Sequence, residues 1–231
     1  MLPVLAEMSG SGPANARAGA AGPPRIRRED FEAFSALPAA LAGRFGAEPG
    51  VVLVTGDGDG KCAAGVCLAA AAAVAGRRTA LLECDLAAPA LAASLGLEPA
   101  PGLSEYLRRE ARAGDILQRV DLAGSAVPDG SEGARLVAVA AGAPVVDGTN
   151  PLAAADFGHA IAKLRGAYEL VVVDGPPVAA GTTALGYAAA HADATLACVN
   201  RSRASGRRAR ELEAALSALG APTAGVVLVD G

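Results

Sequence analysis

The sequence has no tryptophan, and aromatic residues make up only 3% of its 231 positions. A core built around large rings is therefore excluded. Histidine occurs twice, at His159 and His191, and cysteine four times, at Cys62, Cys67, Cys84 and Cys198. No two cysteines form a C-x-x-C pair and the histidines lie far apart, so the spacing of a zinc site is missing. No cysteine framework or secretory leader is evident, which points to a reducing, cytoplasmic setting. Lysine is scarce: Lys61 and Lys163 stand against 18 arginines. The net charge of -4 at pH 7 argues against a basic nucleic-acid binder. The longest apolar run, 63–75, falls short of the ~20 residues that span a bilayer, and reads as a buried helix.

Small residues are abundant. Alanine occurs 58 times, about a quarter of the chain, and glycine 29 times. A hydrophobic content of 52% excludes disorder throughout. The core must be made of Ala, Val and Leu, whose small volumes let elements approach closely. The Arg/Ala/Gly bias is that of a GC-rich genome and carries no function by itself.

Residues 1–24 are Gly-, Ala- and Pro-rich without a period and are expected to form a disordered tail. Residues 25–231 then form a single domain. Phe31, Phe34, Leu37 and Leu41 share one helical face over Arg28 to Arg44, with Pro38 expected to kink or split the helix. From Val51 onward, apolar strands alternate with helices. Strands are predicted at Val51–Val54, Thr79–Leu82, Arg135–Val139, Leu170–Val173, Thr195–Val199 and Gly225–Val229. Helices are predicted at Lys61–Ala75, Ala88–Leu95, Leu103–Arg112, Pro151–Arg165, Thr182–His191 and Ser205–Leu219. This is the pattern of an α/β fold, a mostly parallel sheet covered by helices on both faces. Ligands of such sheets bind at the carboxyl ends of the strands.

Polar residues cluster at that edge. Thr55-Gly56-Asp57-Gly58-Asp59-Gly60-Lys61 joins a strand to a helix. Its glycines allow successive N–H groups to face an anion, and the helix offers its positive N-terminus. One of only two lysines follows Gly60, where a compact ammonium suits outer phosphates. The alternative is an ordinary βα turn with a solvated lysine. Against a full phosphate-loop motif, Thr55 replaces the first glycine and Cys62 replaces the Mg²⁺-ligating hydroxyl, with Ala63 next. A thiol is a poor ligand for a hard cation. Asp57 and Asp59 add negative charge where phosphates would sit. Asp174, after Leu170–Val173, suits a Mg²⁺-positioning carboxylate, and Asp85 a second metal ligand or base. Each also reads as a cap or turn aspartate. Cys62 and Cys84 flank the same place, but small buried cysteines usually fill cores. The arginines from Arg201 to Arg210 read as a solvated helix start, with an acidic partner or anionic lipid as the alternative.

Taken together, the phosphate loop, Leu81-Leu-Glu-Cys-Asp-Leu-Ala-Ala-Pro89, Gly96-Leu-Glu-Pro-Ala-Pro-Gly-Leu-Ser104 and Tyr168 to Pro177 resemble the bacterial tyrosine kinase (BY-kinase) family. These are autokinases of capsule and exopolysaccharide export, related to MinD/ParA-type P-loop NTPases. The resemblance spans roughly residues 28–230. It implies an ATP and Mg²⁺ site, with Lys61, Asp85 and Asp174 as the acting residues and Asp85 and Asp174 on the metal. Gly56, Asp57, Gly58, Asp59, Gly60, Lys61, Cys62 and Ala63 would line the nucleotide. It also implies a membrane polysaccharide co-polymerase as activating adaptor, a peripheral place at the inner membrane, and a homo-oligomer.

The sequence departs from that family in several places. Its loop is two residues shorter. The D-x-D-x-R motif reads Glu83-Cys-Asp85-Leu-Ala87. The oligomer motif E-x-x-R-x-x-R reads Glu32, Ser35 and Pro38. An adenine-holding asparagine is replaced by Val229. The tyrosines are Tyr106, Tyr168 and Tyr187, with no tyrosine cluster before Gly231, so a phosphorylated tail would have to come from another chain. The expectation is thus a kinase-like protein with weakened catalysis, or a pseudokinase scaffold. A MinD/ParA-like positioning ATPase and a non-enzymatic interaction module remain the alternatives.

Overall fold

The computed structural model describes residues 3–8, 26–45, 48–57, 60–122, 127, 134–145, 148–180 and 182–230. Its strands are β1 (Val4–Met8), β2 (Gly50–Gly56), β3 (Thr79–Glu83), β4 (Gln118–Arg119), β5 (Leu136–Val139), β6 (Leu170–Asp174), β7 (Ala194–Asn200) and β8 (Thr223–Val229). They form one sheet in the order β1-β8-β7-β2-β6-β3-β5-β4. Every pairing is parallel except the short β4 against β5.

The central strands are buried on both faces, which is why they read as unbroken apolar runs. Val52 and Val54 face one core, with Leu81, Leu170, Val172 and Leu196. Val51 and Leu53 face the other, with Leu82, Val171 and Val173. The first core is capped by α3 (Gly60–Val74), and α1 (Arg28–Phe34) and α2 (Leu37–Phe45) pack against α3 in turn. Trapped between the sheet and two helices, α3 is buried from Gly60 to Ala73. Alanine, small on every side, fits that sandwich without overpacking. The second core is covered by α5 (Leu103–Leu107), α6 (Ala113–Ile116), α7 (Ala155–Ala167), α8 (Thr182–Ala189) and α9 (Gly206–Ala218).

The expected helix over 28–44 is split: α1 ends at Phe34, and Pro38 sits in the first turn of α2, where its missing N–H costs no helical bond. The segment 88–95 is helical only in α4 (Leu91–Leu95). The segment 103–112 is helical only in α5, with the separate α6 beginning just beyond it, and 151–165 is a 3₁₀ turn, Pro151–Ala153, followed by α7.

The expected tail over 1–24 requires correction within the described residues. Val4–Met8 is an edge strand, parallel to β8 over Val226–Val229. Ala6 and Met8 turn into the core while Val4 stays exposed. The cause is a partner more than 200 residues away, and five residues with one inward face are too few to show a period. Residues 9–24 lie outside the described residues. No described helix is long and apolar enough to cross a membrane.

Candidate functional site

Strand register assembles the site. Asp174, the last residue of β6, stands level with Val54 of β2 and Glu83 of β3. The loop after β2, the end of β6 and the segment after β3 therefore share one edge. Lys61, in the first turn of α3, folds back over that edge. Its Nζ donates to Asp174 Oδ1 at 3.1 Å and lies 3.0 Å from Asp85 Oδ2. All three side chains are at most 9% exposed. The three residues singled out from the sequence are thus in direct contact.

This cluster carries one ammonium against two carboxylates. Burial by itself would lower the Lys61 pKa, but Asp174 and Asp85 outweigh it and hold the ammonium above its ordinary range. Burial pushes the Asp174 carboxyl up, and Lys61 pulls it part of the way back. The Cys62 thiol faces the same carboxylate, yet Asp174 Oδ2 is buried with no hydrogen bond of ordinary geometry. An oxygen left in that condition is costly unless a ligand or ion completes it.

Around the cluster, the loop is held by several anchors. Gly56 has φ +147°, and a Cβ there would strike the Cys198 carbonyl, so only glycine passes. The Asp57 N–H donates to that same carbonyl at 2.9 Å. Thr55 Oγ1 donates to the Pro176 carbonyl at 2.6 Å, tying the loop to the end of β6. Gly60 packs so closely on Val229 that a Cβ would stand 2.6 Å from its side chain. Val229 therefore supports the loop by apolar contact. Gly58 and Asp59 lie outside the described residues. Cys62 and Ala63 are buried in the first turn of α3, with Cys62 Sγ 3.9 Å from Ser94 Oγ. Burial, reinforced by the Asp174 and Glu83 carboxylates, keeps Cys62 and Cys84 as thiols, which suits core filling better than redox chemistry.

Glu83 is a structural anchor. Its Oε1 accepts from the Ala90 and Leu91 N–H groups, the latter at 2.7 Å, and its Oε2 from Ala141 N–H at 2.9 Å. Burial raises its carboxyl pKa, and these three donors oppose the rise. It fixes the start of α4 and the end of β5 around the site, leaving Asp85 as the acid of the pair that meets Lys61. Asp85 Oδ1 accepts from Ala88 N–H at 3.3 Å. Beside Asp85 opens a cleft of about 330 Å³, walled by Leu86, Asn150, Leu152, Pro176 and Thr183.

The sequence did not single out Arg208. On α9, its Nε donates to Asp57 Oδ2 at 2.6 Å, and its Nη2 to Asp57 Oδ1. The arginine-rich stretch read as solvated, and nothing in its spacing names a partner 151 residues back.

No protein-family model and no curated protein matches the sequence. Solved structures do match by fold. The kinase domain of Escherichia coli tyrosine kinase ETK matches with TM-score 0.80 at 18% identity, over 99% of this chain and 90% of that one. The BceF tyrosine kinase domain matches with TM-score 0.78 at 20% identity, over 99% and 93%. More distantly, septum site-determining protein MinD of Pyrococcus horikoshii, complexed with Mg-ADP, matches with TM-score 0.58 at 19% identity, over 77% and 68%. The chain has the fold of the bacterial tyrosine kinase domains, one mostly parallel sheet between helices.

Proposed function

We propose that this protein binds ATP and Mg²⁺ at the Lys61–Asp85–Asp174 edge and is a bacterial-tyrosine-kinase-like protein with weakened phosphoryl transfer. The observation that carries this reading is the convergence of those three residues from three separate strand ends. Lys61 would stabilise phosphate charge, and Asp174 and Asp85 would hold the metal. Their hard oxygens, one of them buried without a partner, suit Mg²⁺, whereas the Cys62 thiol does not. When bound, Mg²⁺ supplies charge neutralisation on the phosphates. Lys61 itself bridges the two buried carboxylates.

The weakening has three supports: the loop is shorter than that of the family it resembles, Cys62 stands for a hydroxyl, and Asp57 places a carboxylate in the loop. The sequence resemblance and the fold together support a cytoplasmic role in capsule or exopolysaccharide export, with a membrane polysaccharide co-polymerase as partner. The Cys62 substitution also favours a second reading, a pseudokinase scaffold that binds nucleotide without turnover. A MinD/ParA-like ATPase is less supported, because Asp57 stands where the second lysine of those loops is expected.

Titration calorimetry with Mg·ATP, paired with a phosphotyrosine assay on a tyrosine-containing peptide, separates these readings. Binding with slow transfer supports the weakened kinase, and binding without transfer supports the scaffold. No heat at millimolar nucleotide, with folded protein, removes the nucleotide site altogether.

A further inference from the structure

The Asp57–Arg208 pair has no role in the reading above. Asp57 sits on the loop that should attract phosphates, where its charge repels them. Its carboxylate is 9% exposed and is gripped through both oxygens by the Arg208 guanidinium. A carboxylate and a phosphate present the same pair of acceptor oxygens to such a fork. Arg208 is also held from behind. Its Nη1 donates to Glu211 Oε2 at 3.1 Å, and its backbone N–H donates to Ser205 Oγ at 3.2 Å. The other two nitrogens, Nε and Nη2, point at Asp57 on the loop.

We propose that Arg208 is a phosphate-binding residue of this loop, and that Asp57 occupies its fork as an internal stand-in for a phosphate. The ligand class is a polyphosphate or nucleoside polyphosphate. Binding then exchanges one charge-assisted bidentate contact for another, and the loop uncouples from α9. This inference rests on the nucleotide reading and adds a residue and a competing contact to it.

The test is titration calorimetry of the full chain with Mg·ATP and, separately, with inorganic triphosphate. Asp57→Asn removes the competitor while keeping the side-chain shape, and is expected to bind both about tenfold tighter than wild type. Arg208→Ala is expected to bind both about tenfold weaker, with Arg208→Lys, which keeps charge but not the fork, recovering only part. If wild type binds and Asp57→Asn binds no tighter, the stand-in is wrong while the nucleotide site survives. If neither binds, both fall. An independent readout needs no variant: the Arg208 Nε–H resonance of wild type should shift on saturation with triphosphate. An unmoved resonance at saturation overturns the proposal, even where Asp57→Asn does not fold.

Discussion

Lys61→Met is the most informative single change, because it leaves Asp85 and Asp174 facing each other without the ammonium. The two ion pairs that it breaks are 3.0 and 3.1 Å long and nearly dry. At an effective dielectric of ~20, one such pair corresponds to about 5 kcal/mol of attraction, against a desolvation cost of several kcal/mol. Removing one partner of a buried pair typically destabilises by about 3–5 kcal/mol, since the remaining charge stays buried. For a chain of this length, that lowers the melting temperature by about 6–20 °C. The pH dependence has a definite sign. In wild type the Lys61 pKa lies above its unfolded value, so its contribution is fully present below that unfolded value and is lost only in strong alkali. In the variant, Asp174 loses the ammonium that pulls its buried carboxyl back down, so its folded pKa stands further above its unfolded one, the folded state binds more protons and stability falls as pH rises. The gap to wild type should be wide near pH 8 and narrow toward pH 5. Scanning calorimetry at both values measures it, and Lys61→Met with Asp174→Asn should recover much of the loss. An unchanged melting temperature at pH 8, or a gap that widens as pH falls, would refute the buried-pair reasoning.

Glu83→Ala removes the acceptor of three backbone N–H groups and should cost about 3 kcal/mol or more in urea unfolding; a loss under 1 kcal/mol would mean that water replaces it. Ala70→Leu forces bulk between the sheet and the outer helices and should destabilise by about 1–3 kcal/mol by the same measurement, although leucine is a good helix former. Burial opposes ionisation of Glu105, but the N–H groups of Gly102 and Ala143 hold its carboxyl below the usual range. Its stabilising effect is therefore present above the unfolded glutamate pKa and lost as pH falls through the lower folded value. Glu105→Gln should accordingly melt lower than wild type at pH 7 and converge with it in acid. Cys62→Ser should raise Mg²⁺-dependent nucleotide binding or turnover, read by calorimetry and ADP release; an unchanged value would show that the missing hydroxyl is not what limits the site.

Local pattern was enough to read the alternation of strands and helices, and with it the parallel sheet. Strands such as Leu170–Val173 are apolar on both faces because both faces are covered, and that signal is present in any four consecutive residues. The positions of Lys61, Asp85 and Asp174 at the ends of such strands were legible for the same reason. Topology turns "end of a strand" into "same edge of the sheet". What the tertiary structure alone decided are the pairings between distant residues. The sequence could not show that Lys61 lies on both acids. Nor could it show that Glu83 is a helix anchor, that Val229 props the loop, or that Arg208 grips Asp57. Most of these depend on groups meeting across tens to hundreds of residues, and even the bonds from Ala90 and Leu91 to Glu83, 7 and 8 residues back, follow no period that reports them. The strand at Val4–Met8 belongs with them. Its backbone hydrogen bonds come from β8, so its conformation is a property of the sheet edge it completes and not of its own five residues.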